Sequence, residues 1–351
     1  MTLSCFTFLF FKRKERKTNE HIDRTISSSH KHHVMAGVFV LLLLIVVIYV
    51  LSYLIYKTYF YFPPIEIEQL SDRRVIITGA SRGIGEELAY EYSRYNCRLI
   101  LAARSIDVLR ERIAKKCREL GAKDVQCVEF DASKRDSCIQ LIEKTLEFYQ
   151  GIDVLVLNHT ASVYQPFFQS EIQENVQHME RLIQTNFFGY FYPSRTIFLF
   201  LSRQNSSRFL AMTALPHLAK SGTSNRRSQI IAVSSLAGSC PLPKTTIYGT
   251  TKHAIQGFFS NLSRECRTCK SYENVTSTIA ILGLISTDTA LQVTNKNLHI
   301  IAADVRKTAQ AIIAAGIYGQ SLVYYPYAFA IIPPLYYLFR PLFELAARVR
   351  S

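Results

Sequence analysis

The sequence lacks the patterns that mark several common kinds of site. A zinc site needs a second cysteine pair or histidines at ligand spacing, and Cys266-Arg-Thr-Cys269 has neither. No Gly-x-Ser-x-Gly turn surrounds Ser234 or Ser235, which argues against a serine hydrolase. No nucleic-acid motif accompanies the net charge of +14. We therefore predict no metal and no nucleic-acid partner, and the basic balance favours a phosphate-bearing cofactor and a membrane surface as partners.

Charged residues are also scarce. Only 19% of the residues are charged and 48% are hydrophobic, a composition that excludes a disordered chain. No internal repeat is evident. Roughly 280 residues follow the apolar segment described next, enough for one large domain with a continuous core.

The range 34–56 contains no charged residue. At 1.5 Å per residue, a helix over it measures about 34 Å and could span a bilayer. Tyrosines crowd its C-terminal edge, as interfacial anchors do, and Pro63-Pro64 ends the helix. A cleaved signal peptide would need a small-residue cleavage site, which we do not find. We predict a transmembrane anchor over 34–56 and a linker over 57–70.

The N-terminal tail 1–33 is basic, and its charges bear on orientation. They are Lys12, Arg13, Lys14, Arg16, Lys17, Arg24 and Lys31. The positive-inside rule then predicts a cytosolic tail and a lumenal domain. Met35 could also serve as the start; translation from there would remove these charges, so both orientations remain open. If the domain is lumenal, Asn274-Val-Thr is the best candidate sequon for glycosylation.

Apolar strand-like runs alternate with helix-like stretches after the linker. This alternation is typical of an α/β fold with a Rossmann-type, doubly wound parallel sheet. We predict one such domain over 71–322, with about seven strands. A first strand precedes Gly79, and the others are predicted at 98–103, 125–130, 153–157, 230–233, 278–282 and 322–325. Predicted helices include 109–120, 139–149, 254–266 and 307–317.

A glycine-rich turn follows the first predicted strand. It reads Gly79-Ala-Ser-Arg-Gly83-Ile-Gly85, and a helical pattern follows. Glycines permit a tight turn here and let the backbone approach a pyrophosphate at the helix N-terminus. The spacing differs from the standard Gly-x-Gly-x-x-Gly fingerprint, and an isolated turn of this kind is weak evidence. The residues described next strengthen it.

Ser235, Tyr248 and Lys252 form the strongest catalytic pattern. Tyr248 and Lys252 are four residues apart, so on a helix they share one face, while Ser235 ends a strand-like run. A free phenol has a pKa of about 10, and an adjacent ammonium lowers it. With a hydroxyl to hold the substrate oxygen, these groups could transfer a proton to or from a carbonyl/alcohol pair. Alone, Tyr-x-x-x-Lys is usually a solvated helix face.

Together these motifs resemble the short-chain dehydrogenase/reductase family. Thr78-Gly-Ala-Ser-Arg-Gly-Ile-Gly85 is similar to its cofactor loop, and Asn158 to the first residue of its Asn-Asn-Ala-Gly segment. Its catalytic tetrad is matched by Asn186, Ser235, Tyr248 and Lys252. Within the family, the 11-beta-hydroxysteroid dehydrogenase type 1 group is most similar, in the stretches 155–159, 233–238, 257–260 and 282–287.

The resemblance implies a mechanism. Hydride passes between a nicotinamide and a carbonyl carbon, with Tyr248 as the acid in reduction and the base in oxidation. Lys252 is expected to hold the nicotinamide ribose and to lower the pKa of Tyr248. Ser235 is expected to bind the substrate oxygen, and Asn186 to hold a water that links Lys252 to solvent.

NADP(H) is the expected cofactor. An arginine after the second strand, Arg104, suits the 2′-phosphate of NADP, whereas an acidic residue there would favour NAD; the alternative is a solvated arginine. Asp131 is expected near the adenine, as an N-cap of the next helix, or both. The predicted cofactor-binding residues are Gly79, Ser81, Arg82, Gly83, Ile84, Gly85, Arg104, Asp131, Asn158, Tyr248, Lys252 and Thr287.

The segment 192–209 is the main departure from the family. It separates Asn186 from Ser235 far more widely than the family requires, and Pro193 should break the helix that follows Asn186. We interpret it as a retained intron or gene-model error, with a genuine insertion as the alternative. A genuine insertion could displace Asn186 and lower activity. His159 and Thr160 replace the second Asn and the Ala of the family pattern.

The expected function is that of a membrane-anchored oxidoreductase acting on a lipophilic ketone or secondary alcohol such as a steroid. The alternatives are a reductase of another lipid or xenobiotic carbonyl, and an impaired binding or scaffold protein on the same fold. The apolar extension 323–351 is expected to cover a substrate entrance, dip into the membrane interface or contribute to a homodimer, or to be an ordinary final strand and core helix. The resemblance implies a single-pass protein of the endoplasmic reticulum membrane.

Overall fold

In the computed structural model the chain divides into two compact units, residues 1–61 and 62–351. The structure describes residues 43–47, 49–50, 63–165, 167, 171–194, 214–293 and 302–341. Residues 43–47 and 49–50 are helical and exposed. Most of the predicted anchor, the whole tail 1–33 and the linker residues 57–62 lie outside the described residues. Within the described part, no helix has the length and apolar character needed to cross a membrane.

The second unit contains a sheet of seven parallel strands. They are β1 (Arg74–Thr78), β2 (Arg98–Ala103), β3 (Asp124–Glu129), β4 (Val154–Leu157), β5 (Ser228–Ser235), β6 (Val275–Leu282) and β7 (Leu322–Tyr325). Their order is β3-β2-β1-β4-β5-β6-β7, and every pairing is parallel. This is the doubly wound arrangement predicted from the sequence, which is confirmed.

Helices connect the strands. They are α1 (Ile67–Leu70), α2 (Gly83–Arg94), α3 (Ile106–Val108), α4 (Ala114–Glu119), α5 (Arg135–Tyr149), α6 (Ile172–Leu182), α7 (Gly189–Ser194), α8 (Ala214–Ser221), α9 (Thr246–Thr268), α10 (Asp288–Val293), α11 (Val305–Ile317) and α12 (Ile332–Leu338). Two π-helical turns, Leu109–Ile113 and Ile183–Phe188, join α3 to α4 and α6 to α7. Short 3₁₀ turns occur at Leu236–Gly238, Lys270–Tyr272 and Tyr327–Ile331.

The sheet is covered on both faces, which explains why its strands read as continuous apolar runs. Val75 and Ile77 of β1 belong to the core cluster that α2 and α11 complete. Ile76, which points the other way, belongs to the cluster that contains residues of α5 and α9. Because successive side chains of β1 point to opposite faces of the sheet, this one strand contributes to two separate cores.

The order of the strands reverses between β1 and β4. The chain moves from β1 outward to β2 and β3, and then returns to place β4 on the other side of β1. The connections after β1 and β4 therefore diverge and leave a crevice at the carboxyl ends of these strands, where ligands bind in this architecture. Ser235, one of the predicted catalytic residues, ends β5, the strand beside β4.

The last strand has the predicted bounds, Leu322–Tyr325, whereas one helix differs from the prediction. Pro193 was expected to break its helix, but α7 continues through it to Ser194. A proline near the end of a short helix leaves few hydrogen bonds to lose. The rest of the predicted insert, 195–209, lies outside the described residues.

Candidate active site

The glycine turn after β1 has the backbone that its sequence predicts. Gly79 has a φ of +67° and Gly83 a φ of +60°, in the left-handed region that favours glycine. At Gly85 a Cβ atom would lie only 2.2 Å from the carbonyl oxygen of Gly79. Only hydrogen fits there, because the first turn of α2 lies directly against the backbone of the loop.

Asn158 and Thr287 border this turn. The side-chain amide of Asn158 donates to the carbonyl oxygens of Thr78 and Gly79, both at 3.3 Å. The backbone N–H of Asn158 donates to the Thr78 hydroxyl at 3.0 Å. Thr287, after β6, lies close to the loop from the other side, since a Cβ on Gly83 would be 3.3 Å from its Cγ2. Asn158 therefore joins the ends of β1 and β4.

The remaining predicted contacts lie beside the ends of β2 and β3. Arg104 is exposed and acts electrostatically on Asp131. Burial alone would raise the pKa of Asp131, but hydrogen bonds from Ser133 and the charges of Lys134 and Arg104 lower it overall. The N-cap of α5 is Lys134, so the alternative role of Asp131 as N-cap is wrong. Asp131 instead accepts hydrogen bonds from Ser133 within the turn.

These features fit a dinucleotide. The N-cap of α2, Arg82, makes no side-chain cap hydrogen bond, so the first-turn N–H groups face the crevice without a side-chain acceptor. Ser81 and Ile84 are half-buried within the turn, and Arg104 supplies positive charge at the end of β2. Its three glycines carry no Cβ atom, so a pyrophosphate could approach the backbone of the turn closely.

Tyr248 and Ser235 meet at the carboxyl edge of the sheet. Ser235 ends β5 and is half-buried, while Tyr248 lies in the first turn of α9 and is 8% exposed. Burial raises the pKa of Tyr248 above its usual range, and Tyr164 adds to this, whereas hydrogen bonds with the hydroxyls of Ser235 and Thr160 lower it. The Ser235 hydroxyl also accepts from the N–H of Ala237 at 3.2 Å.

Lys252 lies one turn further along α9 and is only 2% exposed. Its ammonium donates to the Val233 carbonyl at 3.2 Å and lies 5.7 Å from the ring centroid of Tyr248. Burial lowers the pKa of Lys252 to about 7. The structure thus brings Lys252 to the Tyr248 ring, and its expected effect on the pKa of Tyr248 stays a prediction.

Asn186 lies in the π-helical turn between α6 and α7, fully buried. Its Oδ1 accepts from the Ala161 N–H at 2.7 Å, and its Nδ2 donates to the Ala161 carbonyl at 2.8 Å and to the Thr251 hydroxyl at 3.0 Å. The side chain therefore ties the segment after β4 to α9, next to Lys252. Asn186 thus contacts the helix that carries Tyr248 and Lys252. The water relay through Asn186 stays a prediction.

The sequence did not predict the position of Tyr190 in the site or the contacts of His159. Tyr190 places its ring 5.3 Å from the Lys252 ammonium, and its hydroxyl lies 2.9 Å from the carbonyls of His159 and Val233. The ring nitrogens of His159 contact the Thr78 hydroxyl at 2.9 Å and the Thr185 carbonyl at 3.2 Å. Burial lowers the pKa of His159 to about 3, so it is neutral at physiological pH. The sequence offers one local indication of Tyr190: it follows Asn186 by four residues, so the two residues share a helix face.

Comparisons with known proteins agree with this geometry. Residues 73–298 match the short chain dehydrogenase family. The hydroxysteroid 11-beta-dehydrogenase 1-like protein of Gallus gallus is 38% identical over 261 residues, which cover 74% of this chain and 80% of the relative. The protein of that name from Danio rerio is 36% identical over 266 residues, which cover 76% of this chain and 82% of the relative.

Two solved structures share the fold at low identity. A short chain dehydrogenase/reductase from Burkholderia phymatum, in complex with NAD, superposes with a TM-score of 0.62 at 18% identity, over 78% of this chain and 96% of that one. An alcohol dehydrogenase from Thermococcus sibiricus, complexed with 5-hydroxy-NADP, superposes with a TM-score of 0.54 at 23% sequence identity. The match covers 69% of this chain and 89% of that one. The chain belongs to the short-chain dehydrogenase/reductase family, in the hydroxysteroid 11-beta-dehydrogenase 1-like group, and is an oxidoreductase of CH–OH groups.

Proposed function

We propose that this protein interconverts a ketone and a secondary alcohol on a lipophilic substrate, with NADP(H) as cofactor. The single observation that carries the proposal is the convergence of Ser235, Tyr248 and Lys252 at the carboxyl end of β5, the strand beside β4. A half-buried serine hydroxyl, a buried phenol and a buried ammonium at one sheet edge form an acid/base device suited to a carbonyl oxygen.

Each group has a separate task. Ser235 binds the substrate oxygen through its hydroxyl, and Tyr248 gives that oxygen a proton in reduction or removes one in oxidation. Lys252 lies against the Tyr248 ring and holds the nicotinamide ribose. Asn186 fixes the segment after β4 against Thr251 and so keeps the floor of the site in place. The nicotinamide nucleotide, when bound, supplies or accepts the hydride.

The choice of NADP over NAD rests on Arg104. It follows β2, where the ribose of a dinucleotide lies in this fold, and its charge suits a 2′-phosphate. Asp131, near the end of β3, accepts from the Ser133 hydroxyl through one carboxylate oxygen and pairs with Lys134 at 3.8 Å through the other. Among the described residues Arg104 forms no ion pair within 4.0 Å, so its charge is available to a phosphate.

The apolar surroundings of Tyr248 support a lipophilic substrate. Leu182, Ala237 and Ile247 form a buried cluster with it, and Val163 and Met179 pack against that cluster. The names of the vertebrate relatives make a steroid the first substrate to test. Other lipid or xenobiotic ketones would suit the same apolar walls.

A membrane location completes the proposal. The uncharged range 34–56 is proposed as a single transmembrane anchor in the endoplasmic reticulum, with the domain in the lumen when residues 1–33 are present. The C-terminal segment exposes Ile331, Leu335, Tyr337 and Leu338, apolar side chains that suit the membrane interface or a homodimer contact.

The test is oxidation of NADPH by the full chain in detergent with a panel of steroid, retinoid-like and simple cyclic ketones. Turnover of lipophilic ketones, with the matching alcohols oxidised by NADP⁺, is the expected result. A folded protein that binds NADPH but reduces none of them would contradict the proposal and favour a binding role on the same fold.

A further inference from the structure

Tyr164 is the exposed partner of the buried Tyr248. It lies in the segment that follows β4, with its ring centroid 5.4 Å from that of Tyr248 and the two planes tilted by 51°. Tyr164 is 41% exposed, whereas Tyr248 is 8% exposed. The pair therefore leads from the protein surface to the proton-transfer group.

The hydroxyl of Tyr164 points into the site. It shares hydrogen bonds with Tyr248 and Ser162, and burial raises its pKa. Since the Tyr248 hydroxyl also bonds with Ser235, the Tyr164 hydroxyl lies next to the two groups that must both reach the substrate oxygen. Tyr164 is thus partly exposed and also bonded to the proposed proton-transfer group.

The segment around Tyr164 is held in place on both sides. Before it, the N–H and carbonyl of Ala161 are both bonded to the Asn186 amide. After it, Gln165 lies 3.2 Å from a ring nitrogen of His178 on α6, and the Phe167 carbonyl accepts from Asn175 at 2.9 Å. A ring fixed in this way acts as a wall, because moving it would break contacts with two other elements.

We propose that Tyr164 determines substrate specificity by forming the wall beside the reacting oxygen. A carbonyl oxygen must come within hydrogen-bond distance of both Tyr248 and Ser235. Any bulky group on the carbon next to the carbonyl then meets the Tyr164 ring. Ketones with an open carbonyl fit against the ring, and ketones crowded at that carbon are excluded. This inference rests on the proposed function.

The test uses two isomeric bicyclic ketones. The carbonyl of 2-decalone has open CH₂ neighbours, whereas that of 1-decalone adjoins the ring fusion, and the two have the same atoms and nearly the same hydrophobicity. Their dissociation constants are measured by calorimetry on the full chain, loaded with NADPH in detergent. The variants are Tyr164→Ala, which removes the ring, and Tyr164→Phe, which keeps the ring and removes only the hydroxyl.

The wild type is expected to prefer 2-decalone. Tyr164→Ala should reduce that preference about 10-fold, the scale set by one or two methylene groups in an apolar site, and Tyr164→Phe should keep it. The preference is a ratio within one protein sample, so a loss of folded protein does not change it. An unchanged preference in Tyr164→Ala, or a wild type that does not discriminate, would overturn the inference.

Binding separates this inference from the proposed function. If the wild type binds both ketones with the expected preference but reduces neither, the proposed function fails and the role of Tyr164 as a wall stands. If it reduces ketones and Tyr164→Ala keeps the wild-type preference, only the inference about Tyr164 fails. A folded wild type that binds NADPH and neither ketone overturns both.

Discussion

Burial is the main influence on the reacting side chains. It raises the pKa of Tyr248 and lowers that of Lys252 to about 7, in each case by disfavouring the charged form. The Lys252 ammonium lies 5.7 Å from the centroid of the Tyr248 ring. A lysine poised near neutral pH, held by one carbonyl and two aromatic rings, can change protonation during turnover.

The first prediction concerns the stability cost of Lys252. Its folded-state pKa is about 7 against an ordinary 10.5. Below pH 7 the lysine is charged in both states, so the burial cost is fully present; above pH 10.5 it is neutral in both, and the cost vanishes. The cost of burying Lys252, which is the difference in free energy of unfolding between Lys252→Met and the wild type, should therefore fall between pH 7 and 10.5. Lys252→Met should be the more stable protein at pH 6, by up to about 5 kcal/mol.

Urea unfolding of the wild type and of Lys252→Met, at pH 6 and at pH 10, measures the difference between their free energies of unfolding. The advantage of Lys252→Met should be largest at pH 6 and shrink at pH 10. An advantage that is equal at both values would mean that the lysine has an ordinary pKa in the folded protein.

A second prediction concerns the 2′-phosphate. Arg104→Asp should lower the preference for NADPH over NADH by about 10-fold or more, because a charge-assisted hydrogen bond is lost and a like charge is placed beside the phosphate. Arg110→Asp, an equal charge change at another exposed arginine, is the control and should leave the preference unchanged. Dissociation constants for both nucleotides give the answer, and equal effects of the two variants would argue against a role for Arg104.

Some residues of the site could be predicted from the sequence and others could not. Ser235, Tyr248 and Lys252 carry a spacing that depends only on one strand and one helix. Tyr190 and Tyr164 approach them from other elements, so their roles depend on how those elements pack. No local pattern records such contacts. His159 was noticed as a departure from the family, but its link between Thr78 and Thr185 appears only in the fold.

At the scale of elements, the glycine turn and α2 act as one unit. The backbone of Gly79 lies where a Cβ of Gly85 would be, so the loop and the helix fix each other's position. The π-helical turn that carries Asn186 similarly joins α6 to α7. Such turns often occur at functional sites, and periodicity alone does not predict them.

The third prediction compares two glycines. Gly85→Ala should destabilise the protein by about 1–3 kcal/mol, because the backbone must shift, and should weaken NADPH binding. Gly257→Ala is the matched control: it lies in α9 with nothing within 4 Å of its Cβ position, and should stabilise by about 0.5–1 kcal/mol. Thermal unfolding and NADPH titration measure both. Normal NADPH affinity in Gly85→Ala would contradict the assigned role of the turn.

At the scale of the whole molecule, seven strands and their parallel order were predictable because apolar strand-like runs alternate with helices, and the central strands β1, β4 and β5 are buried on both faces. The boundaries of the strands were harder to predict. β5 and β6 begin at Ser228 and Val275, before the apolar runs that predicted them. Pairing with neighbouring strands extends them. The predicted helix break at Pro193 is wrong, because Pro193 is accommodated in α7, and the interpretation of 192–209 as a gene-model error or a genuine insertion stays a prediction.

The fourth prediction concerns the membrane. The full chain expressed in mammalian cells should stay in the membrane pellet after alkaline carbonate washing, because an uncharged span of this length is stable in lipid. With residues 1–33 present, Asn274 should carry a glycan that an endoglycosidase removes, and Asn274→Gln should lack the corresponding gel shift. Release by carbonate would contradict the anchor. A retained but unglycosylated protein, digested by added protease, would indicate a cytosolic domain.

The most direct test of the central claim is the rate of NADPH oxidation with a lipophilic ketone, compared between the wild type and Tyr248→Phe. Phenylalanine keeps the aromatic ring and removes the hydroxyl, with its transferable proton and its hydrogen bonds to Ser235 and Tyr164. We expect turnover to fall about 1,000-fold, within the range for general acid–base groups, with NADPH affinity little changed. A Tyr248→Phe protein that turns over at the wild-type rate would contradict the account.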